Sequence, residues 1–418
     1  MQLHKALILA ALLLSGTAAE AAIKAVQFGK LWDGHRVIRN AVVVIDNDKI
    51  QSVTANGRIP AGAQTIDLSR YSGIPGLIDS HTHMTFYWDR STGATPLHQP
   101  PRHVAVTVFL AQENAKKTLE AGVTTVRDLT GLDGADLALR DLINRGAVVG
   151  PRMFVSGPGI RQAALHRAGV TDSIAEAVRL TKSIIDSGAD WVKVYGSTGG
   201  ADDVTGDETV TYEEMKAIID TAHAAGRKVA VHSYGPQGAM DAIRAGTDTL
   251  EHATDMDDAT IAELVRTKIW YIPTINHNQH YLDRADDVYM FSAQAKENLR
   301  NFIQRNFVTA QKSYRAGARM LIGSDAVYTA FGLNMQELGW FVKFGMSNER
   351  ALQSATILPA QMLGLETSLG TVAPGYIADM VAVEGDPLTD ISTVLNNVRW
   401  VMKSGAVVVD KTRAPRTR

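Results

Sequence analysis

Between residues 74 and 324 eight short apolar runs alternate with segments patterned for helices. The strand-like runs are residues 74–78, 123–129, 152–156, 190–195, 228–232, 249–252, 269–273 and 319–324. Helix-patterned stretches at 105–120, 137–144, 174–187, 212–225, 238–245, 258–267 and 294–316 lie between them, with Gly122, Gly226 and Gly246 as stops. Parallel strands need crossover connections, and eight strand–helix units in succession close into a (β/α)8 barrel. The predicted fold class is therefore α/β, a TIM-like barrel.

The two ends of the chain read differently. Residues 41–45 form a strand, Asp46-Asn47-Asp48 a tight turn, and residues 49–53 the return strand. Near the other end, residues 379–383 read as a strand, and residues 398–403 and 406–409 flank Ser404-Gly405, a hairpin signal. Neither end holds enough sheet to stand alone. Pairing them gives a small β-sandwich beside the barrel. The expected division is 1–22 signal peptide, 23–72 sandwich, 73–364 barrel and 365–418 sandwich.

With 418 residues the chain can build both parts. It has no cysteine, which excludes disulfides, thiolate metal sites and a Cys nucleophile. Its net charge of −2 gives no reason to expect nucleic acid or an anionic membrane as partner. In residues 1–22, Lys5 precedes an apolar run over 6–14 that is too short to span a bilayer, and Ala19-Glu20-Ala21 offers a cleavage signal. This predicts an exported protein, periplasmic or secreted, with no membrane segment in the mature form.

The first barrel run ends in Asp79-Ser80-His81-Thr82-His83. Alternate strand residues share a face, so His81 and His83 project together and two neutral imidazoles can hold one divalent metal. Two unrelated surface histidines would look the same. Lys193 stands inside the apolar run 190–195, where an ammonium is costly unless paired or neutralised. A deprotonated lysine can add carbon dioxide to give a carbamate, whose two oxygens can bridge two cations. A core lysine paired with a carboxylate is the alternative. His232, His252 and Asp325 each end a later run. Each alone reads as a satisfied strand end; together, in this order and all at strand termini, they read as one metal constellation.

On these six residues the sequence resembles the amidohydrolase superfamily in its binuclear, carboxylated-lysine form. The resemblance extends to the 46–53 hairpin, a helix at Ser354-Ala355-Thr356 and the ending Gly375-Tyr376-Ile377-Ala378-Asp379-Met380-Val381. Within the superfamily it is similar to the imidazolonepropionase-like branch, which includes Xaa-Pro and Xaa-Arg dipeptidases and ochratoxin-hydrolysing amidases. The resemblance implies two divalent cations, zinc by default, with manganese or cobalt as alternatives. His81 and His83 would hold the more buried cation, His232 and His252 the more exposed one, with carboxylated Lys193 between them and Asp325 on the first. It implies hydrolysis of an amide in a small molecule, an N-acyl amino acid, dipeptide or ochratoxin-type amide, by a hydroxide shared by the cations. Asp325 would carry the proton to the leaving nitrogen. It also implies a homo-oligomer, up to an octamer.

Two further residues are candidate substrate contacts. His166 follows the third run at the place where the branch carries Gly-Gly-His, although this chain reads Ala164-Leu165-His166. Tyr195 points the same way as Lys193, two residues on. His277 and His280 follow the seventh run and are placed at the mouth. The chain has no G-x-S-x-G elbow, Walker loop or dinucleotide fingerprint. The same binuclear site could instead serve a lactone, a cyclic amide or a phosphotriester. A metal-free scaffold relative is the non-enzyme reading, and the intact six-residue set argues against it.

Overall fold

The computed structural model describes residues 23–199 and 206–412. The expected signal peptide lies outside the described residues. Among the described residues fifteen strands run in chain order. The first four are β1 (Lys24–Trp32), β2 (Val37–Asp46), β3 (Lys49–Ala55) and β4 (Gln64–Pro75). Then come β5 (Leu77–Thr82), β6 (Val123–Asp128), β7 (Arg152–Val155), β8 (Trp191–Tyr195), β9 (Lys228–Ser233), β10 (Thr249–His252), β11 (Trp270–Ile272) and β12 (Arg319–Met320). The last three are β13 (Met380–Val383), β14 (Val398–Lys403) and β15 (Ala406–Asp410).

Both chain ends build one seven-stranded ladder, ordered β15-β14-β13-β4-β1-β2-β3. The β2–β3 hairpin turns at Asn47 (φ 54°), and the β14–β15 hairpin turns at Ser404-Gly405, both at positive φ, as tight hairpin turns require. The ladder curls on itself: Ile50 donates to the Tyr376 carbonyl (2.9 Å), and Ala378 donates to that of Asp48 (2.8 Å). Phe28, Val43, Ile45, Met380 and Trp400 fill the space between its two ends. The expected sandwich is thus a single curled sheet folded around one apolar core.

β5 to β12 are parallel to their neighbours and form two arcs, β5-β6-β7 and β8-β9-β10-β11-β12. Backbone hydrogen bonds cross both seams. Asp190 donates to Val155 (2.8 Å) and Tyr195 to Ile160 (2.9 Å) on one side, while Asp325 donates to His81 (2.7 Å) and His83 to Ala326 (3.1 Å) on the other. The α/β arrangement is consistent with the expected barrel and sandwich.

Helices on the outer side begin and end where local chemistry allows. Tyr212–Ala224 opens with a capping box between Thr211 and Glu214, and Pro236–Ala245 stops at Gly246 (φ 95°), which closes the last turn in the left-handed region. Two local expectations are corrected. The eighth run pairs regularly only at Arg319–Met320, because Gly323 lies against Ile272 and His81 with no room for a Cβ, and Asp325 turns to φ 50°. Ser354-Ala355-Thr356 is a turn between helices Asn348–Gln353 and Ile357–Leu363. Its carbonyls are used elsewhere: Ile322 donates to Ser354 (3.2 Å) and Ile78 to Ala355 (2.8 Å).

Candidate metal centre

β5 ends buried, and Asp79 fixes how it meets residues 321–325. One Asp79 oxygen accepts from the Ser324 amide (2.9 Å), and the other from Asn334 Nδ2 (3.0 Å). This tie brings Asp325 beside the strand end. Its Oδ1 lies 3.0 Å from His83 Nε2 and 3.5 Å from His81 Nε2. His81, His83 and Asp325, all buried, form a three-ligand group with all donor atoms within 4.8 Å of one another.

His81 is oriented from below. Its Nδ1–H donates to Glu251 Oε2 (2.7 Å), and Arg127 holds the other Glu251 oxygen (2.8 Å). Arg127 in turn stacks on Trp191, 4.6 Å from its ring centroid. Fixing the proton on Nδ1 leaves the Nε2 lone pair facing the site, the tautomer a metal ligand needs. His81 Nε2 and His232 Nε2 are both buried with no hydrogen-bond partner. An orphaned buried imidazole nitrogen is costly in a finished protein, so both fit a cation.

Charge follows the same plan. Burial lowers the His81 pKa to about 4 and those of His232 and His252 well below the usual histidine range, so the imidazoles are neutral. Burial works to raise the Asp325 carboxyl, but His277, His81 and His83 around it hold it well below the usual range. Glu251 is held at about 2 by Arg127 and His81, against the same burial effect.

The second part of the site comes from β8, β9 and β10. In the ladder Tyr195 stands opposite His232, and His232 opposite Glu251. Alternation along β10 would send His252 away from the face that Glu251 occupies. His252 reverses this by taking φ 67°, a strained position for a non-glycine residue. Thr274, itself at φ 49°, holds His252 Nδ1 at 2.6 Å through Oγ1. The His252 ring then sits 4.5 Å from His232 and 5.1 Å from His81. Lys193 is buried, 5.2 Å from the Tyr195 ring, and among the described residues no carboxylate lies within ion-pair reach of its nitrogen. Burial lowers its pKa to about 8.

The remaining candidates divide. Tyr195 lies against His232 (ring centroids 5.3 Å) and donates to Thr130 Oγ1 (2.9 Å). His277 joins the centre, donating through Nδ1 to the Asp325 carbonyl (2.7 Å), with Nε2 3.4 Å from Asp325 Oδ2. His280 bonds Thr329 Oγ1 (2.8 Å). His166 is half exposed and pairs with Glu214 (2.7 Å), and among the described residues no contact joins it to the histidine cluster. Glu251, Arg127 and Thr274 were not singled out from the sequence. The signal available for Glu251 was its place beside His252 at an inward-facing position.

A surface groove of about 770 Å³ lies between the Val104–Glu120 helix and β15, but none of the clustered histidines lines it. A smaller cavity of about 300 Å³, lined by Phe86, Leu97, Leu132 and Tyr328, adjoins the centre, with the Phe86 ring 5.1 Å from His83. The site is thus defined by its ligands and not by volume.

Residues 74–408 match the amidohydrolase family, a span that covers β5 to β12 and most of the last sheet strands. The chain belongs to the amidohydrolase family. It is 28% identical over 413 residues to ochratoxinase of Aspergillus niger, covering 89% of this chain and 83% of that one. Imidazolonepropionase of Streptomyces avermitilis is 23% identical over 381 residues, covering 83% and 81%. A solved Xaa-Pro dipeptidase, with methionine bound in its active site, superposes with a TM-score of 0.83 at 29% identity, covering 92% of this chain and 99% of that one. The resemblance read from the six site residues is therefore found across nearly the whole amidohydrolase chain. The chain is a hydrolase by family.

Proposed function

We propose that this amidohydrolase cleaves the amide bond of N-acyl amino acids or dipeptides, ochratoxin-type amides included, at a centre for two divalent cations. The observation that carries the reading is the buried His81–His83–Asp325 group, with the orphaned Nε2 atoms of His81 and His232 facing the same space. His81, His83 and Asp325 would hold one cation, His232 and His252 the other, and Lys193 as its carbamate would lie between them. Two such cations, zinc by the nature of the ligands, would supply Lewis acidity and lower the pKa of bound water towards neutral.

The chain's own residues then do the rest. Asp325, ionised and flanked by imidazoles, accepts a proton from the attacking water and gives it to the leaving nitrogen. Thr274 and Glu251 keep His252 and His81 aimed while this happens. Phe86, its ring 5.1 Å from His83, and Tyr328, 6.0 Å from Phe86, line the wall of the cavity beside the centre. The relatives favour amides: their names are those of a dipeptidase and of ochratoxinase. Export to the periplasm or the medium remains part of the proposal, from residues 1–22 alone.

The test is elemental analysis together with hydrolysis of N-acyl amino acids, dipeptides, lactones and phosphotriesters. About two metals per chain and a preference for the amides are expected, since paired sites act as a unit. Full activity in metal-free protein would end the proposal, and a preference for lactones or phosphotriesters would replace its substrate.

A further inference from the structure

Thr274 stands at the head of the Ile275–Asp283 helix, where a hydroxyl ordinarily accepts from the first amides of its own helix. Elsewhere in the chain Asp172, Thr211, Asp257, Ser292 and Ser347 cap their helices in this way. Thr274 does not. It is buried at φ 49°, and its Oγ1 lies 2.6 Å from His252 Nδ1. The helix amides must therefore find another acceptor.

Glu337 supplies it from another segment. Its Oε1 accepts from the Ile275 amide (2.9 Å) and its Oε2 from the Asn276 amide (2.7 Å). Glu337 is fully buried, and among the described residues no lysine or arginine pairs with it. Burial, with Asp79 and Asp325 nearby, pushes its carboxyl up to about 8, against the two amides that favour the anion. A buried carboxyl is a costly way to cap a short helix when a threonine already stands at its head. What the arrangement leaves free is the Thr274 hydroxyl. Three residues before Glu337, Asn334 donates to Asp79 (3.0 Å), so the same segment braces β5 as well.

We propose that Glu337 is a positioning residue for His252: by capping the Ile275–Asp283 helix from outside, it frees the Thr274 hydroxyl to fix the His252 ring. Without Glu337 two buried amides lose their acceptor, and Thr274 Oγ1 is the group at hand to turn back to them. His252 Nδ1 then loses its partner, and the ring proton is no longer held away from the Nε2 lone pair that a cation needs. The consequence for metal affinity rests on the two-cation reading above. The place of the His252 ring proton does not, and can be read without metal.

The experiment titrates zinc by calorimetry into the metal-free full chain, for the wild type, E337Q, T274V and the double variant. In parallel, nitrogen NMR of histidine-labelled, metal-free protein follows the His252 ring proton. E337Q should bind the second zinc roughly 10–100-fold more weakly, as when the support behind a metal-ligating imidazole is removed, and the first zinc as the wild type does. T274V should show a similar loss, and the double variant no more than T274V alone, because both changes remove one arrangement. The ring proton should stay on Nδ1 in the wild type and exchange between the two nitrogens in E337Q. E337D draws the carboxylate back by one methylene; it should lose less, and it carries the same comparison if E337Q does not fold. Losses that multiply in the double variant would overturn the proposal and leave Glu337 as a cap for the helix alone. Wild-type affinity for the second zinc in E337Q would do the same. Should the wild type itself take up a single zinc, the two-cation reading fails and the NMR decides: exchange of the ring proton in E337Q supports the positioning role, and an unchanged signal overturns it.

Discussion

The two sides of the centre are built by different means. The side on β5 and residues 321–325 is knitted by hydrogen bonds: Asp79 ties the two segments, Glu251 and Arg127 support His81, and Asp325 lies within 3.5 Å of both imidazoles. The side on β8, β9 and β10 packs ring on ring among Tyr195, His232, Tyr234 and His252, with single hydroxyls of Thr130 and Thr274 fixing Tyr195 and His252, and its lysine has no carboxylate partner among the described residues. The first side has its anion built in. The second has neutral imidazoles and a cationic amine, and would gain an anion only when Lys193 is carboxylated. On the proposed two-cation reading, the difference teaches that one cation position would be set by folding alone, whereas the other would depend on carboxylation of Lys193 after folding.

The sharpest way to break this comparison is at Lys193. K193A should abolish turnover and lower the metal content from about two to about one per chain, because only the bridging group is lost. Short carboxylic acids added with metal should restore part of the activity. A K193A protein that keeps both metals and full turnover would erase the distinction between the two sides.

A smaller loss is expected on the knitted side. D325N is nearly isosteric and should keep the fold, measured by thermal unfolding, but should cut kcat by roughly 10² or more if Asp325 moves the proton. Turnover near that of the wild type would assign the proton elsewhere.

The third variant sharpens the comparison from beneath. E251Q removes the anion from a buried pair and leaves the Arg127 charge uncompensated, which should cost about 3–5 kcal/mol in denaturant unfolding. It should also change the acid limb. Glu251 has an ordinary value of 4.5 and is held at about 2 in the fold. Between those pH values the unfolded chain binds more protons, so this contribution to stability is present above pH 4.5 and is lost as pH falls towards 2. E251Q should be less stable than the wild type at neutral pH and flatter across that window. A slope equal to that of the wild type would show that Glu251 is not the group responsible.

Much of this was legible in the chain because period and spacing carry it. The eight apolar runs, the Gly246 stop and both hairpins follow from local rules, and the six candidate ligand positions were read from strand ends. What was not legible depends on backbone turns that side-chain alternation hides. His252 faces the centre only because its φ is 67°, and alternation alone would have chosen Glu251 in its place. Residues 321–325 leave the regular ladder because Gly323 is pressed against His81, a contact between segments far apart in the sequence. The Glu337 cap likewise joins residues 62 and 61 positions apart, which no local pattern announces.

The curled sheet has a consequence for when the site can form. β4 pairs with β1 on one side and with β13 on the other, Ile74 opposite Val381. Those partners are roughly 300 residues apart, a separation that makes closure slow and late. On folding, β1 to β4 keep the β4 edge unpaired until β13 joins it. β4 runs into β5 through Gly76 alone, so the strand that carries His81 hangs from an unfinished sheet until the last strands arrive. The chain thus fastens the base of its candidate metal centre with strands that follow the whole barrel in sequence.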